Sequence, residues 1–266
     1  KSGDFTLYLG EIRLPANMAL WPFFTSGGTE ADNWAVFGTA KRMGKRGKHI
    51  VTTAIEHHAI LNCMKDLESQ GFSVTYLQPD SLGRISVDAL KAALRKDTIL
   101  VSVMMVNNEA GSVMPIQQMA RLTHRLCPDA IFHTDAVQAA GHLHINVKEQ
   151  NIDMLSLSGH KFHGPKGVGA LYIGPRVRNP RPLLPGGGQE RGARSGTEAT
   201  AQIAGFAKAV ELRLADYDAK LAHMAALRDY CREKLLTIPG MVPVGGGTAP
   251  HILALSLAGY PSANIV

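Results

Sequence analysis

The sequence is poor in several things, and each shortage narrows the reading. No uninterrupted apolar run approaches the roughly 18–20 residues of a membrane-spanning helix, and the N-terminal apolar patch is broken by Glu11, Arg13 and Pro15. That patch also lacks the charged-then-apolar order of a signal peptide. Of 266 residues only three are cysteine: Cys63, Cys127 and Cys231. They are far apart and form no CxxC pair, which excludes a disulfide framework and points to a reducing, cytoplasmic setting. Acidic residues are outnumbered, 22 against 28 Lys and Arg, for a net charge of +6. This favours anionic ligands without indicating nucleic acid, because the densest basic stretch is only Lys41-Arg42, Lys45-Arg46 and Lys48. Internal repeats and low-complexity linkers are missing. The histidines of His57-His58, His142-x-His144 and His160-x-x-His163 supply no closed four-ligand metal set.

What remains is a globular composition, 45% hydrophobic and 19% charged, arranged in alternating strand and helix patterns. Residues 48–53 read as a strand. Ile60, Leu61, Met64 and Leu67 share one face of a helix over 58–70 that Gly71 ends. Residues 72–77 form the next strand, Ser86 caps a helix carrying Leu90 and Leu94, and 99–106 is apolar enough to be a strand buried on both faces. Pro115 opens a helix, and strands follow at 130–134, 154–157 and 168–173. This β-α-β-α rhythm predicts an α/β fold with a largely parallel central sheet flanked by helices. Beyond Gly196 the pattern changes to one or two long helices over 198–237, a Gly-rich turn over 242–248 and a strand over 252–257. The expected organisation is an irregular stretch over 1–24, a large domain over 25–212, and the start of a smaller α+β domain over 213–266.

In open α/β sheets ligands bind at the carboxyl ends of the strands, and four successive strand ends here carry polar side chains. These are Glu56-His57-His58, Asn107-Asn108-Glu109, Asp135-Ala136-Val137-Gln138 and Ser158-Gly159-His160-Lys161. Lys161, past a buried strand and before an aromatic-Gly-Pro turn, suits a Schiff-base lysine, although a solvated surface lysine fits its position as well. Asp135 ends a buried strand, where a carboxylate needs a cation or a helix to cap; a protonated pyridine nitrogen is one such cation. Ser158, His160 and the Gly27-Gly28-Thr29 loop can donate to a phosphate. Jointly these residues describe a pyridoxal-phosphate site.

Several longer segments carry a resemblance. They are Thr25-Ser26-Gly27-Gly28-Thr29-Glu30, Glu56-His57-His58-Ala59, Val106-Asn107-Asn108-Glu109-Ala110-Gly111 and His133-Thr134-Asp135-Ala136-Val137-Gln138. Ser158-Gly159-His160-Lys161-Phe162-His163-Gly164-Pro165-Lys166-Gly167 and the run from Gly186 to Glu198 complete the set. In this order and spacing the sequence resembles the cysteine desulfurase family, class V, fold-type I enzymes of pyridoxal 5'-phosphate, over roughly Phe24 to Ala258. The resemblance implies that Lys161 forms the Schiff base and shuttles the Cα proton, and that His57 stacks on the ring and assists proton transfer. It implies that Asp135 holds the ring nitrogen, Gln138 and Asn108 the phenolic oxygen, and Gly28, Thr29, Ser158, Gly159 and His160 the phosphate. Thr197 matches the threonine that reaches the phosphate of a partner subunit, which implies a homodimer. The implied reaction takes L-cysteine and a sulfur acceptor to L-alanine and a persulfide, for iron–sulfur cluster assembly or tRNA thiolation, with a scaffold or acceptor protein as partner.

Two departures qualify this. The family's persulfide-forming cysteine loop and its carboxylate-binding arginine have no counterpart before Val266, and all three cysteines read as structural. The family's Asp-Asn-x-Ala-Thr-Thr segment has no counterpart in residues 1–21. The chain is therefore expected to be an internal fragment that binds cofactor poorly and does not complete sulfur transfer. A selenocysteine lyase, another class V lyase or transaminase, and a non-catalytic partner-binding fragment are the alternatives.

Overall fold

The computed structural model describes residues 22–261; the irregular N-terminal segment expected from the sequence therefore lies almost wholly outside the described residues. A seven-stranded sheet organises the chain. Its strands are β1 (Phe23–Thr25), β2 (His49–Thr53), β3 (Ser73–Leu77), β4 (Thr98–Ser102), β5 (Ile131–Asp135), β6 (Met154–Ser158) and β7 (Gly169–Ile173). In space the order is β1-β7-β6-β5-β4-β2-β3. From β6 to β3 the strands run parallel, whereas β7 is antiparallel to both β6 and β1. The mostly parallel sheet inferred from the sequence is present.

Both faces are covered, because successive residues of each strand point to opposite sides. Val51, Val101, Phe132 and Leu155 enter one core with helices α3 (Val87–Ala93), α4 (Ile116–Leu126) and α5 (Thr200–Leu214). Ile50, Leu100, Ile131 and Met154 enter the other, under α1 (Gly28–Met43) and α2 (His58–Ser69). Strands β2, β4, β5, β6 and β7 are buried at every position, as parallel strands between two helical layers must be. Ser86 accepts from the backbone N–H of Ala89, and thus caps α3 as its residue type predicts.

Several boundaries differ from the sequence reading. The strand expected over 99–106 ends at Ser102: Val103 N and Met105 N still bond to β5 carbonyls, but on the other side β2 ends at Thr53 and the Glu56 carboxyl accepts the Met104 N–H at 2.8 Å. The helical stretch over 198–237 is two helices, α5 and α6 (Tyr217–Leu235), divided where Asp216 takes a left-handed φ of 52°. Val242 and Pro243, expected in a turn, belong to β8 (Met241–Pro243), which pairs antiparallel with β9 (Leu255–Leu257); the strand expected over 252–257 is only this second half. Strand β1 and helix α1 have no counterpart in the sequence reading. Phe23 and Phe24, assigned there to the irregular stretch, pair with Leu171 and Ala170.

That pairing positions α1. Gly169 lies so close to the chain leaving β1 that a Cβ on it would stand 2.6 Å from Gly27 C and 2.5 Å from Leu157 O. Only a glycine lets the turn before α1 settle against β6 and β7, and this places the α1 N-terminus beside the carboxyl ends of the parallel strands. Among the described residues no helix is long and apolar enough to cross a membrane.

Candidate active site

A cavity of about 310 Å³ opens at those strand ends. Gly28, Thr29 and Asp32 reach it from α1, His57 from the end of β2, Met104 and Asn108 from beyond β4, Asp135, Val137 and Gln138 from β5, and Ser158, His160 and Lys161 from β6. Of the residues singled out by sequence, Gly28, Thr29, His57, Asn108, Asp135, Gln138, Ser158, His160 and Lys161 meet there. Gly159 does not line the cavity. It is buried at the head of a short 3-10 helix, Gly159–Phe162, where an added Cβ would meet the Phe206 ring at 3.0 Å. Thr197 is exposed and stands outside this cavity. Asp32, Met104 and Val137 were not singled out. Asp32 follows Gly28 by four residues, one helical turn, so recognising α1 in the sequence is the step that would have pointed to it.

Each end of the cavity has its own chemistry. At one end the first turn of α1 has no side-chain cap: Gly27 is its N-cap and offers none. Its free N–H groups and the helix dipole favour an anion. Gly28 admits the approach, since a Cβ there would lie 2.6 Å from Val137 Cγ2. Ser158 Oγ and His160 Nδ1 are hydrogen-bonded at 3.0 Å beside this turn. Glu30, also in the first turn, is drawn away by Arg194 Nε at 2.7 Å and by the Ser26 hydroxyl. Burial raises its carboxyl, but Arg194 and Ser26 outweigh that and hold it below the usual range.

At the other end three carboxyl groups gather. Asp135 Oδ1 accepts the Val137 N–H at 2.8 Å. Burial raises the Asp135 carboxyl, opposed by that N–H and by the neighbouring His57 and Lys161 side chains. Glu56 Oε1 accepts from Met104 N and from Thr53 Oγ1, each at 2.8 Å, while Oε2 has no partner, and burial pushes this carboxyl up to about 8. Asp32 is 1% exposed, its Oδ1 has no partner, and burial together with the nearby Asp135 and Glu56 raises it well above the carboxylate range. A ligand with an anionic group at one end and a cationic nitrogen at the other matches this polarity. A lysine on the wall between them can reach a carbonyl.

The cysteines complete the inventory. Cys63 is buried in α2, donates to Ala59 O at 2.9 Å and is pushed up to about 12 by burial; Cys127 is buried and donates to Arg95 O at 3.2 Å. Neither is poised as a thiolate. Cys231 departs from the expected structural role: it lies on α6 and is exposed.

Comparison with known proteins agrees with this geometry. The family model described as aminotransferase class-V matches residues 22–266. The chain belongs to that family. The cysteine desulfurase IscS of Methanosarcina thermophila is 52% identical over 217 residues, which cover 82% of this chain and 53% of that protein. A solved structure named NifS-like protein superposes with a TM-score of 0.87 at 38% identity, covering 92% of this chain and 67% of its own. Another, described as SspA in complex with cysteine, gives 0.74 at 40% identity over 86% and 63% of the two chains. The chain spans about half the length of the curated relatives it matches. The cofactor of aminotransferase class-V enzymes is pyridoxal phosphate, and the uncapped helix turn, the glycine that a Cβ would fill, the buried Asp135 and Lys161 all fit it.

Proposed function

We propose that the chain is the cofactor-binding part of a cysteine desulfurase, which takes L-cysteine and passes its sulfur to an acceptor while releasing L-alanine. The observation that carries this reading is the convergence of Lys161, Asp135, His57 and Gln138 from the ends of β2, β5 and β6 on one cavity. The IscS relatives and the NifS-like structure support it through their names, and the SspA structure was solved with cysteine.

When bound, pyridoxal phosphate supplies an electron sink that weakens bonds at the α-carbon of an amino acid. With the cofactor bound, Lys161 would be the amine that holds its aldehyde end and the base that moves a proton at the substrate α-carbon. Asp135, whose Oδ1 accepts the Val137 N–H, would hold a proton on the ring nitrogen by its negative charge. Gln138 and Asn108 would hold the phenolic oxygen, with Asn108 also toward the substrate carboxylate, and His57 would cover the ring. The α1 turn with Gly28 and Thr29, and Ser158 and His160, hold the phosphate.

The active unit in this reading is a homodimer, with exposed Thr197 reaching the phosphate of a second copy. Its acceptor is a scaffold or thiolation protein in the cytoplasm, serving iron–sulfur assembly or tRNA thiolation. The test is spectroscopic. Loaded with pyridoxal phosphate, the protein is expected to show a visible band that Lys161→Ala abolishes, and L-cysteine is expected to perturb that band. A band that survives in Lys161→Ala would overturn the assignment of Lys161; a band indifferent to L-cysteine would overturn the substrate.

A further inference from the structure

The turn that carries Asn108 into the cavity is built around the side chain of Asn107. Beyond β4 the chain doubles back. Val106 bridges to Val113, the Asn107 N–H donates to Ser112 O at 2.9 Å, and the Gly111 N–H donates to Asn107 O at 3.0 Å. The Asn107 side chain is buried, and its carboxamide is used at both ends. Its Oδ1 accepts the N–H groups of Glu109 at 3.0 Å and of Ala110 at 2.8 Å. These two bonds span Asn108 and fix the backbone that follows it. Its Nδ2 donates to Ile55 O at 3.0 Å, in the loop between β2 and α2 that also holds Glu56 and His57.

The far side of the turn is anchored separately. Gly111 O accepts the N–H groups of Thr248 at 3.1 Å and of Ala249 at 3.0 Å, and the Ser112 hydroxyl donates to Leu82 O at 2.8 Å. On the near side Glu56 takes the Met104 N–H and so holds the strand before the turn. Asn107 ties the turn itself to the His57 loop. His57 is fixed in that loop as the N-cap of α2, its Nδ1 accepting the Ala59 N–H at 3.1 Å. One carboxamide therefore relates two residues that line the same cavity, His57 and Asn108. The residue type follows from the chemistry. An aspartate keeps the acceptor for Glu109 and Ala110 but has no donor, and sets an oxygen against Ile55 O. An alanine offers neither group and leaves a buried carbonyl without its partner.

We propose that Asn107 is a positioning residue of the ring site: it orders the turn around Asn108, ties that turn to the His57 loop, and so aims Asn108 at the phenolic oxygen of the cofactor. The contact between Asn108 and the cofactor rests on the proposed function; the hydrogen bonds of Asn107 belong to the protein alone.

Hydrogen exchange in the chain without cofactor reads the turn. The Glu109 and Ala110 amides are expected to be protected in the wild type and to exchange about tenfold faster in Asn107→Ala, as loss of one hydrogen bond implies. Asn107→Asp, which retains the acceptor, is expected to keep them protected. With pyridoxal phosphate bound, the pH midpoint of the visible band reads the aim of Asn108. A hydrogen bond to the phenolic oxygen draws off charge that would otherwise hold the neighbouring proton, so its loss raises the midpoint. Asn107→Ala is expected to raise it by about half to one pH unit, the size of one hydrogen bond, in the same direction as Asn108→Ala. In an Asn108→Ala background the same substitution is expected to add little, whereas a packing role alone would add the same shift in both backgrounds. Unprotected Glu109 and Ala110 amides in the wild type, an unmoved midpoint in Asn107→Ala, or an undiminished shift in the Asn108→Ala background would each overturn the proposal alone. A wild-type protein with no visible band would overturn the ring-site half of it together with the reading of Lys161.

Discussion

Replacing Glu56 by glutamine tests the buried acids at the level of stability. Glu56 is 4% exposed, spends one oxygen on Met104 N and Thr53 Oγ1, and leaves the other without a partner. Its pKa is raised from 4.5 to about 8 by burial. The sign follows from linkage. Below pH 4.5 both folded and unfolded chains hold the proton, and Glu56 contributes its full share. Between 4.5 and about 8 the unfolded chain gives the proton up while the folded chain keeps it, so stability falls as pH rises. Each pH unit inside that window is worth about 1.4 kcal/mol. From pH 5 to pH 7 the Glu56 share is therefore about 3 kcal/mol, as an order of magnitude. In Glu56→Gln the amide oxygen remains an acceptor for Met104 and Thr53, and the side chain has no proton to lose. Asp32 and Asp135 tilt the wild-type profile in the same direction, so the quantity to read is the difference between wild type and Glu56→Gln. Urea unfolding at pH 5, 6, 7 and 8, followed through Trp34, which is 2% exposed, is expected to show the variant gaining on the wild type at each step up to pH 8. A difference that stays constant across that range would mean Glu56 is already ionised in the folded chain, and would refute the reasoning about all three acids.

Other substitutions probe the frame of the site. Gly169→Ala puts a Cβ against backbone on both sides, at 2.5 and 2.6 Å; a loss of about 1–3 kcal/mol in thermal unfolding is expected, with weakened cofactor binding because the α1 turn moves. In Gly28→Ala the obstacle is a side-chain methyl of Val137 at 2.6 Å, which can yield. Stability should change less than in Gly169→Ala, while a spectral titration with pyridoxal phosphate should show weaker binding. His142 and His251 stack at 3.7 Å; burial, helped by His251 and Arg213, lowers His142 to about 3, and burial, helped by Arg213 and Lys161, lowers His251 to about 4. Below pH 6.5 the unfolded chain takes up protons that these rings refuse, so stability falls with acid; His251→Asn should remove part of that fall, read as a smaller drop in melting temperature between pH 6.5 and 5.

The strand ends are legible because the chemistry there is conspicuous: Asn108, Asp135 and Lys161 each follow a short, mostly apolar strand that is buried on both faces. Helix α1 was not legible because its buried side is partly polar. Asp32 and Thr39 are buried beside Trp34 and Val36, so a search for apolar periodicity passes over it. Without α1 the sequence does not show that Asp32 is buried, and His133 and Ser156 read as ordinary strand residues until β5 and β6 are placed side by side. Strand β1 is only three residues long and gains its identity from β7, far along the chain. Cys231 was misjudged because a helical position says nothing about which face of the helix is covered.

The pairing of β1 with β7 also sets an order of events during synthesis. The strand that aims the α1 turn, the proposed phosphate site, has no partner in the sheet until Gly169–Ile173 has been made, and contacts this distant in sequence form late. Strands β2 to β6 can assemble as the chain emerges, with Asp135, His57 and Asn108 already in place. The anion-binding end of the cavity must wait for roughly 120 further residues after β2. A ribosome-bound chain arrested before β7 should therefore hold the ring-binding half of the site and not the half that retains a phosphate, so that cofactor capture marks the moment at which the sheet closes.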